Sequence, residues 1–265
     1  MDPYYAESIA RGANFPSLSA DAAQALHSPD MQYKVVIVGD SGCGKTSLFA
    51  SYIRGSFPST YEPTIFENHR MFVQSSSTGK IISADLWDTA GQEEYERLRR
   101  LSYQDADIVI VAYALDAPES LLNIHEVWAP EVMTYAPQAK IILVGLKEDI
   151  QPHKVSPQNA YSVAKNIGAT AHLACSSMLM HNVNPLFDCV FNTAYNNSIL
   201  MANNAIYNST ISDQSINNKN RKRNSYSAPN SAGKSHRRNI SLTNSIKSVK
   251  KSASNPNKSS RCTIL

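Results

Sequence analysis

The sequence predicts an α/β fold: a single domain with a six-stranded, mostly parallel sheet, one antiparallel edge strand, and helices on both faces. Three observations carry this. Near-continuous apolar runs alternate with helical stretches, and such runs suit strands that are covered on both faces. The first run ends in a glycine-rich turn that opens directly into a helix. Two neighbouring runs are joined by a turn too short for a crossover, which makes them a hairpin and supplies the antiparallel edge.

Taken in order, residues 1–30 mix Ala, Ser, Pro and Asp without a period and are expected to form a flexible extension. Tyr33–Val38 is a β-branched strand, and Lys45–Tyr52 reads as the first helix. Asn68–Gln74 is the edge strand, joined through Ser75–Gly79 to the strand Lys80–Trp87. Further strands are expected at Asp107–Ala114, Lys140–Gly145 and Ala169–Cys175, with helices near Pro118–Tyr135, Ser156–Ile167 and Val183–Ser198. From about residue 203 Asn, Ser and Lys/Arg dominate and periodicity ends. Such a segment buries too little apolar surface to offset its ordering entropy, so disorder is expected. The domain boundaries that follow are an extension over 1–30, a globular domain over 31–199 and a disordered basic tail over 200–265.

The net charge of +3 hides an asymmetry. Residues 1–213 carry 13 Lys/Arg against 22 Asp/Glu, whereas residues 214–265 carry 12 Lys/Arg and no acid. The basic tail therefore suits an anionic partner, either a membrane surface or nucleic acid. Its clusters at Lys219–Arg223 and Arg237–Arg238 lack interleaved aromatic residues for stacking on bases, so the reading assigns no nucleic acid. Cys43, Cys175, Cys189 and Cys262 form no CxxC pair, which points to reduced thiols. No apolar run approaches the roughly 18 residues that span a bilayer.

Gly39-Asp40-Ser41-Gly42-Cys43-Gly44-Lys45-Thr46 fits G-x-x-x-x-G-K-[ST], followed by Ser47. Glycines let backbone N–H groups turn inward onto phosphates at a helix N-terminus, where the dipole favours an anion. In that pattern Lys45 reaches the β- and γ-phosphates, and Thr46 offers its hydroxyl to Mg²⁺. A second element, Asp88-Thr89-Ala90-Gly91-Gln92, follows an apolar strand. Asp88 is placed to hold Mg²⁺ through water, Gly91 to bring a backbone N–H to the γ-phosphate, and Gln92 to orient an attacking water.

Together these elements resemble a Ras-superfamily GTPase. Phe57-Pro58, Tyr61–Asn68, Gln92–Arg99, Leu101-Ser102-Tyr103 and Trp128–Val132 resemble its Rho branch, over roughly residues 31–197. The Leu146-Lys147 pairing and the long tails look most like a fungal branch linked to septation and cell-wall growth. The resemblance implies a single phosphate-loop GTPase domain that binds GTP or GDP with Mg²⁺ and hydrolyses GTP. It implies that Phe57 packs on guanine, Tyr61 lies over the phosphates, and Thr46, Thr64 and Asp88 serve the metal. Gln92 is then the catalytic residue. Lys147 lays its stem along the base and Asp149 selects guanine, with Ser176 and Ser177 beside the guanine carbonyl.

Further implications concern partners. Phe57–Asn68 and Thr89–Tyr103 become the two switches that effectors read, and exchange factors, activating proteins and a dissociation inhibitor are expected, the protein itself being a monomer. Cys262-Thr263-Ile264-Leu265 fits a C-a-a-X box whose final Leu favours geranylgeranyl at Cys262. One lipid anchors marginally, and the basic tail adds the second signal. The expected location is the cytoplasmic face of the plasma membrane, with a cytosolic pool. Ser225 and Ser241 follow basic residues in a manner that suits phosphorylation.

Four departures shape the expectation. One is Ser176-Ser177-Met178 in place of the usual Ser-Ala-Lys, which leaves the backbone N–H of Ser177 to serve the guanine carbonyl. Ser41 stands where most switch GTPases have glycine, beside the attacking water. Two readings stay open: slow hydrolysis, or a GTP-locked effector-binding module. Leu146 replaces the usual Asn or Thr and forgoes a side-chain hydrogen bond to the phosphate loop. Between Asp149 and Asn166 the chain is about a dozen residues shorter than the usual Rho pattern, corresponding to the helical insert. Asp149 and the lack of a second substrate domain speak against a phosphate-loop kinase or ATPase.

Overall fold

A computed structural model of the protein describes residues 14–18, 29–59 and 64–224, without the side chains of 206 and 208–224. Its strands are β1 (Met31–Gly39), β2 (Phe66–Gln74), β3 (Ile81–Thr89), β4 (Ile108–Ala114), β5 (Lys140–Leu146) and β6 (Ala171–Ala174). They form one sheet in the order β2-β3-β1-β4-β5-β6. Only β2 runs antiparallel to its neighbour, in the register Phe66↔Thr89 to Gln74↔Ile81. The expected six-stranded architecture with one antiparallel edge is what the chain adopts.

Alternation along β1 feeds two cores. Val35 and Ile37 face one side with Leu48, Phe49, Phe187 and Phe191. Val36 and Val38 face the other with Ile124, Trp128, Val132 and Ala160. The helices are α1 (Lys45–Arg54), α2 (Glu96–Ser102), α3 (Pro118–Asn123), α4 (Ala129–Tyr135), α5 (Pro157–Asn166) and α6 (Val183–Asn224). On α6, Val183, Leu186, Phe187, Val190, Phe191 and Ala194 are buried, a stripe at spacings of three and four residues.

The chain divides into two units, the first extending to Ile199 and the second from Leu200 to Arg261. In the second, the described residues are helical to Asn224. The expectation of a helix ending near Ser198 is corrected to that extent. Neither Gly nor Pro occurs between Pro185 and Asn224, so no residue in that span breaks the helix. Ser225, Ser241, Arg237, Arg238 and Cys262 lie outside the described residues, as does Tyr61. Among the described residues, no helix is long and apolar enough to cross a membrane.

Helix α2 was not among the expected elements, and two other segments differ from expectation. Residues 14–18 are not a loose extension. Ser17 bridges Val73 antiparallel, Leu18 N–H donates to the Phe72 carbonyl at 2.8 Å and Gln74 N–H to that of Pro16 at 3.1 Å. Phe15 is 4% exposed, its ring lies 5.6 Å from that of Phe191, and its N–H donates to Asp188 Oδ1 at 2.8 Å. The second difference lies in the stretch from Pro118 to Tyr135, which is not one α-helix. A π-turn, Ile124–Trp128, separates α3 from α4.

The crevice of the fold follows from topology. β1 lies between β3 and β4, so successive crossovers leave it in opposite directions and part the loops at its carboxyl end. The glycine-rich turn Asp40–Gly44 occupies that position.

Candidate functional site

Residues 40–44 connect β1 to α1. Gly42 and Gly44 take the left-handed conformation, with φ 71° and 108°, and Gly44 is the N-cap of α1. A left-handed backbone suits glycine and lets successive N–H groups face one concavity. Lys45, 5% exposed, donates to the carbonyls of Gly39 and Asp40, each at 2.8 Å. These bonds fold its ammonium back over the loop.

One cavity of about 300 Å³ collects most of the expected site. Ser41, Gly42, Gly44, Lys45, Thr46 and Ser47 line it, with Phe57, Thr64, Gly91, Lys147, Asp149 and Ser177. These residues come from segments far apart in sequence, and their convergence is a property of the fold. Gly39, Asp40, Cys43, Asp88, Ser176 and Gln92 lie outside the lining. Asp40 turns away to accept from Asn123 Nδ2 and Trp128 Nε1, each at 2.7 Å. Cys43 is buried against the Ala112 carbonyl, and burial raises its thiol pKa, so it is inert packing. Gln92 is exposed.

The hydroxyls of Thr46 and Thr64 are 2.6 Å apart. Beside them Asp88 is 1% exposed, and its Oδ1 has no hydrogen-bond partner. Burial pushes its carboxyl above the ordinary range, against the Thr46 hydroxyl, which lowers it. A buried carboxylate oxygen without a partner is costly unless a cation faces it. No group of three His, Cys, Asp or Glu among the described residues could hold a metal. Two hydroxyls and one carboxylate are instead an all-oxygen set that suits a hard ion with several waters, as Mg²⁺ prefers. The residues fit the ion.

At the other end of the cavity, Ser176 Oγ donates to Asp149 Oδ1 at 2.6 Å and fixes that carboxylate. Lys147 has a positive φ of 62°, and its ammonium lies 3.7 Å from Asp116. Leu146 is 1% exposed, and a Cβ built on Gly44 would lie 3.7 Å from its Cδ1. Apolar packing thus stands where the forgone hydrogen bond to the loop was expected. Ile150 and Met178 also line the cavity and are exposed. Sequence reasoning gave them no role, since no motif marks an apolar rim.

Gly91 is required by close approach. A Cβ there would lie 2.4 Å from the Gly39 carbonyl oxygen and from the Ser41 nitrogen. Ala90–Gly91–Gln92 is thereby pressed on the phosphate loop, and Ser41 is exposed at the cavity mouth.

Comparison with known proteins agrees with this arrangement. The Ras family profile matches residues 34–196. GTP-binding protein RHO4 of Saccharomyces cerevisiae is 44% identical over 176 residues, covering 64% of this chain and 60% of that protein. RHO4 of Eremothecium gossypii is 47% identical over 172 residues, covering 63% and 66%. The match thus spans less than two thirds of each RHO4 protein. GTP-binding protein RHO2 of Saccharomyces cerevisiae is 43% identical over 178 residues, covering 63% of this chain and 90% of that protein. With most of its globular part matched by the family profile and a Rho protein aligned over nearly its full length, the chain belongs to the Ras family and, within it, to the Rho-type proteins known from fungi.

Proposed function

We propose that the protein is a Rho-type small GTPase that binds GTP and GDP with Mg²⁺, hydrolyses GTP slowly and acts as a membrane-anchored signalling switch. One observation carries the reading: phosphate loop, paired threonine hydroxyls and Asp149 open onto a single cavity. Asp149 offers acceptor oxygens to the ring N–H and exocyclic amine of guanine, a donor pair adenine lacks. Ser176 orients that carboxylate, while Phe57, Ile150 and Met178 give the base an apolar surround. The phosphates lie on the N–H groups of 41–46, with Lys45 leaving its carbonyl partners to meet them.

In hydrolysis a water oxygen bonds to the γ-phosphorus while the bond to the β–γ bridging oxygen breaks. GDP keeps that oxygen and inorganic phosphate departs. Mg²⁺, when held by Thr46, Thr64 and Asp88, neutralises charge on the phosphate oxygens. Gln92 orients the water, and its exposure means that its side chain must swing inward for the reaction. Ser41 supports the second reading, a largely GTP-locked effector-binding module, because it lines the cavity and its backbone nitrogen is among the groups closest to Gly91.

Phe57–Asn68 and Thr89–Tyr103 serve as the surfaces read by effectors, exchange factors, activating proteins and a dissociation inhibitor. Exposed Ile65, Leu98 and Leu101 give them apolar contact area. Geranylgeranylation at Cys262, with the basic tail, holds the protein at an anionic membrane. Polarity, septation and cell-wall control are the processes the reading points to. The domain proper is placed at 31–199, joined by residues 14–18.

The test is the nucleotide that co-purifies with the protein, followed by single-turnover hydrolysis of loaded GTP. Bound GDP and measurable phosphate release support the switch. Bound GTP without release supports the locked module, and stronger retention of ATP than GTP overturns both.

A further inference from the structure

A buried polar cluster adjoins the cavity without lining it. Arg99 on α2 has a side chain 4% exposed, and Glu131 on α4 one 9% exposed. Arg99 Nε donates to Glu131 Oε1 at 2.7 Å and Nη2 to Oε2 at 3.0 Å, a two-point clamp. Tyr103 adds a hydroxyl donor to Oε1 at 2.8 Å. The guanidinium also lies 4.7 Å from the centre of the Trp128 ring. Buried Arg–carboxylate pairs are net favourable only with good geometry and further hydrogen bonds, and both are present.

The remaining nitrogen reaches the site. Arg99 Nη1 donates to the carbonyls of Ala90 at 3.1 Å and Gln92 at 3.3 Å. These two carbonyls flank Gly91, which is pressed on the phosphate loop. Trp128 continues the cluster to that loop, since its Nε1–H donates to Asp40. Asn123 donates to the other oxygen of the same carboxylate. In a plain α-helix, residues five apart point about 140° away from each other. The π-turn, with its wider i→i+5 hydrogen-bonded ring, turns less per residue and so brings Asn123 and Trp128 nearer to one side. The irregular turn thus lets one helix hold the phosphate loop.

We propose that Arg99 is a positioning residue for Gln92. Clamped by Glu131 and stacked on Trp128, it fixes the backbone on either side of Gly91, and through Trp128 and Asp40 it holds that backbone in register with the phosphate loop. The inference rests on the GTPase reading. Arg99 touches neither nucleotide nor water in this arrangement. Its effect is on where the Gln92 side chain starts when it swings toward the attacking water.

The test uses the full-length protein loaded with GTP, comparing wild type with Arg99→Lys and with Glu131→Gln. Lysine keeps the charge but cannot hold a carboxylate at two points and two carbonyls at once. Glutamine keeps the shape of residue 131 and weakens the grip, so it serves if Arg99→Lys does not fold. Three quantities are read: single-turnover hydrolysis, release of a fluorescent GDP analogue, and the thermal midpoint. A loss of about tenfold to a hundredfold in hydrolysis is expected for Arg99→Lys, and a smaller one for Glu131→Gln, with GDP release nearly unchanged. Hydrolysis unchanged, or falling only where GDP release rises in proportion, overturns the proposal and leaves the GTPase reading standing. No hydrolysis by wild type itself overturns both.

Discussion

The hydroxyl oxygens of Thr46 and Thr64 lie 2.6 Å apart although 18 residues separate them in sequence. One heads α1 and the other precedes β2, so the contact closes the metal end of the cavity across two loops. Thr64→Ala removes one hydroxyl while leaving Thr46 and Asp88. GDP release measured with Mg²⁺ should move toward its rate with a chelator, by roughly tenfold, the worth of about 1.4 kcal/mol for one such group. An unchanged gap between the two rates would remove Thr64 from the ion site.

Ser41 gives the second prediction. Ser41 lines the cavity and is exposed, and Ser41→Gly removes its side chain. Single-turnover hydrolysis should rise about tenfold or more if that side chain crowds Gln92, because misplacement of about 1 Å can cost a hundredfold. Equal rates in the two proteins would clear Ser41 and move the search for any block to Gln92 itself.

How much of this was legible in sequence depends on the range over which each signal acts. Gly39–Thr46 and Asp88–Gln92 are contiguous, and each spacing encodes a backbone shape, so both were readable without a fold. The strands were readable because burial on both faces leaves unbroken apolar runs such as Val35–Val38. Helix α2 was missed because Glu96–Ser102 interleaves charges with only two leucines, Leu98 and Leu101, both exposed. The Arg99–Glu131 clamp was missed for a different reason: both residues look like ordinary surface charges until α2 and α4 are brought together. Residues 14–18 were unreadable because their hydrogen bonds go to a strand more than fifty residues away, and five residues show no period.

Phe15 supplies the third prediction. It is 4% exposed and packs on Phe191. Phe15→Ala should cost about 3–5 kcal/mol in urea unfolding, as for other buried aromatic truncations, and Phe15→Leu clearly less. A cost below about 1 kcal/mol would make residues 14–18 an ornament rather than part of the core.

His172 supplies a pH dependence. It is 4% exposed, joined to the Tyr113 hydroxyl at 2.9 Å, and burial lowers its pKa from 6.5 to about 4. The folded pKa lies below the unfolded one, so below pH 6.5 the unfolded chain binds a proton that the folded protein refuses. Stability is therefore lost as pH falls from 6.5 towards 4, by up to about 3 kcal/mol from this residue. His172→Gln should flatten that part of the stability profile measured by denaturant titration at successive pH values.

The short pairing of Ser17 with Val73 also decides what a neighbouring molecule meets. β2 is the last strand of the sheet, and a bare last strand invites another chain to add on, copy after copy. Along β2 the outward backbone groups of Phe72 and Gln74 are already taken by Leu18 and Pro16. By the two-residue alternation of a strand, Phe66, Asn68 and Arg70 carry the groups of the same orientation that lie farther along. A protein produced without its first thirty residues would expose the whole length of that rim. It would be expected to precipitate or form fibrils more readily than the full chain, even where its nucleotide pocket remained intact.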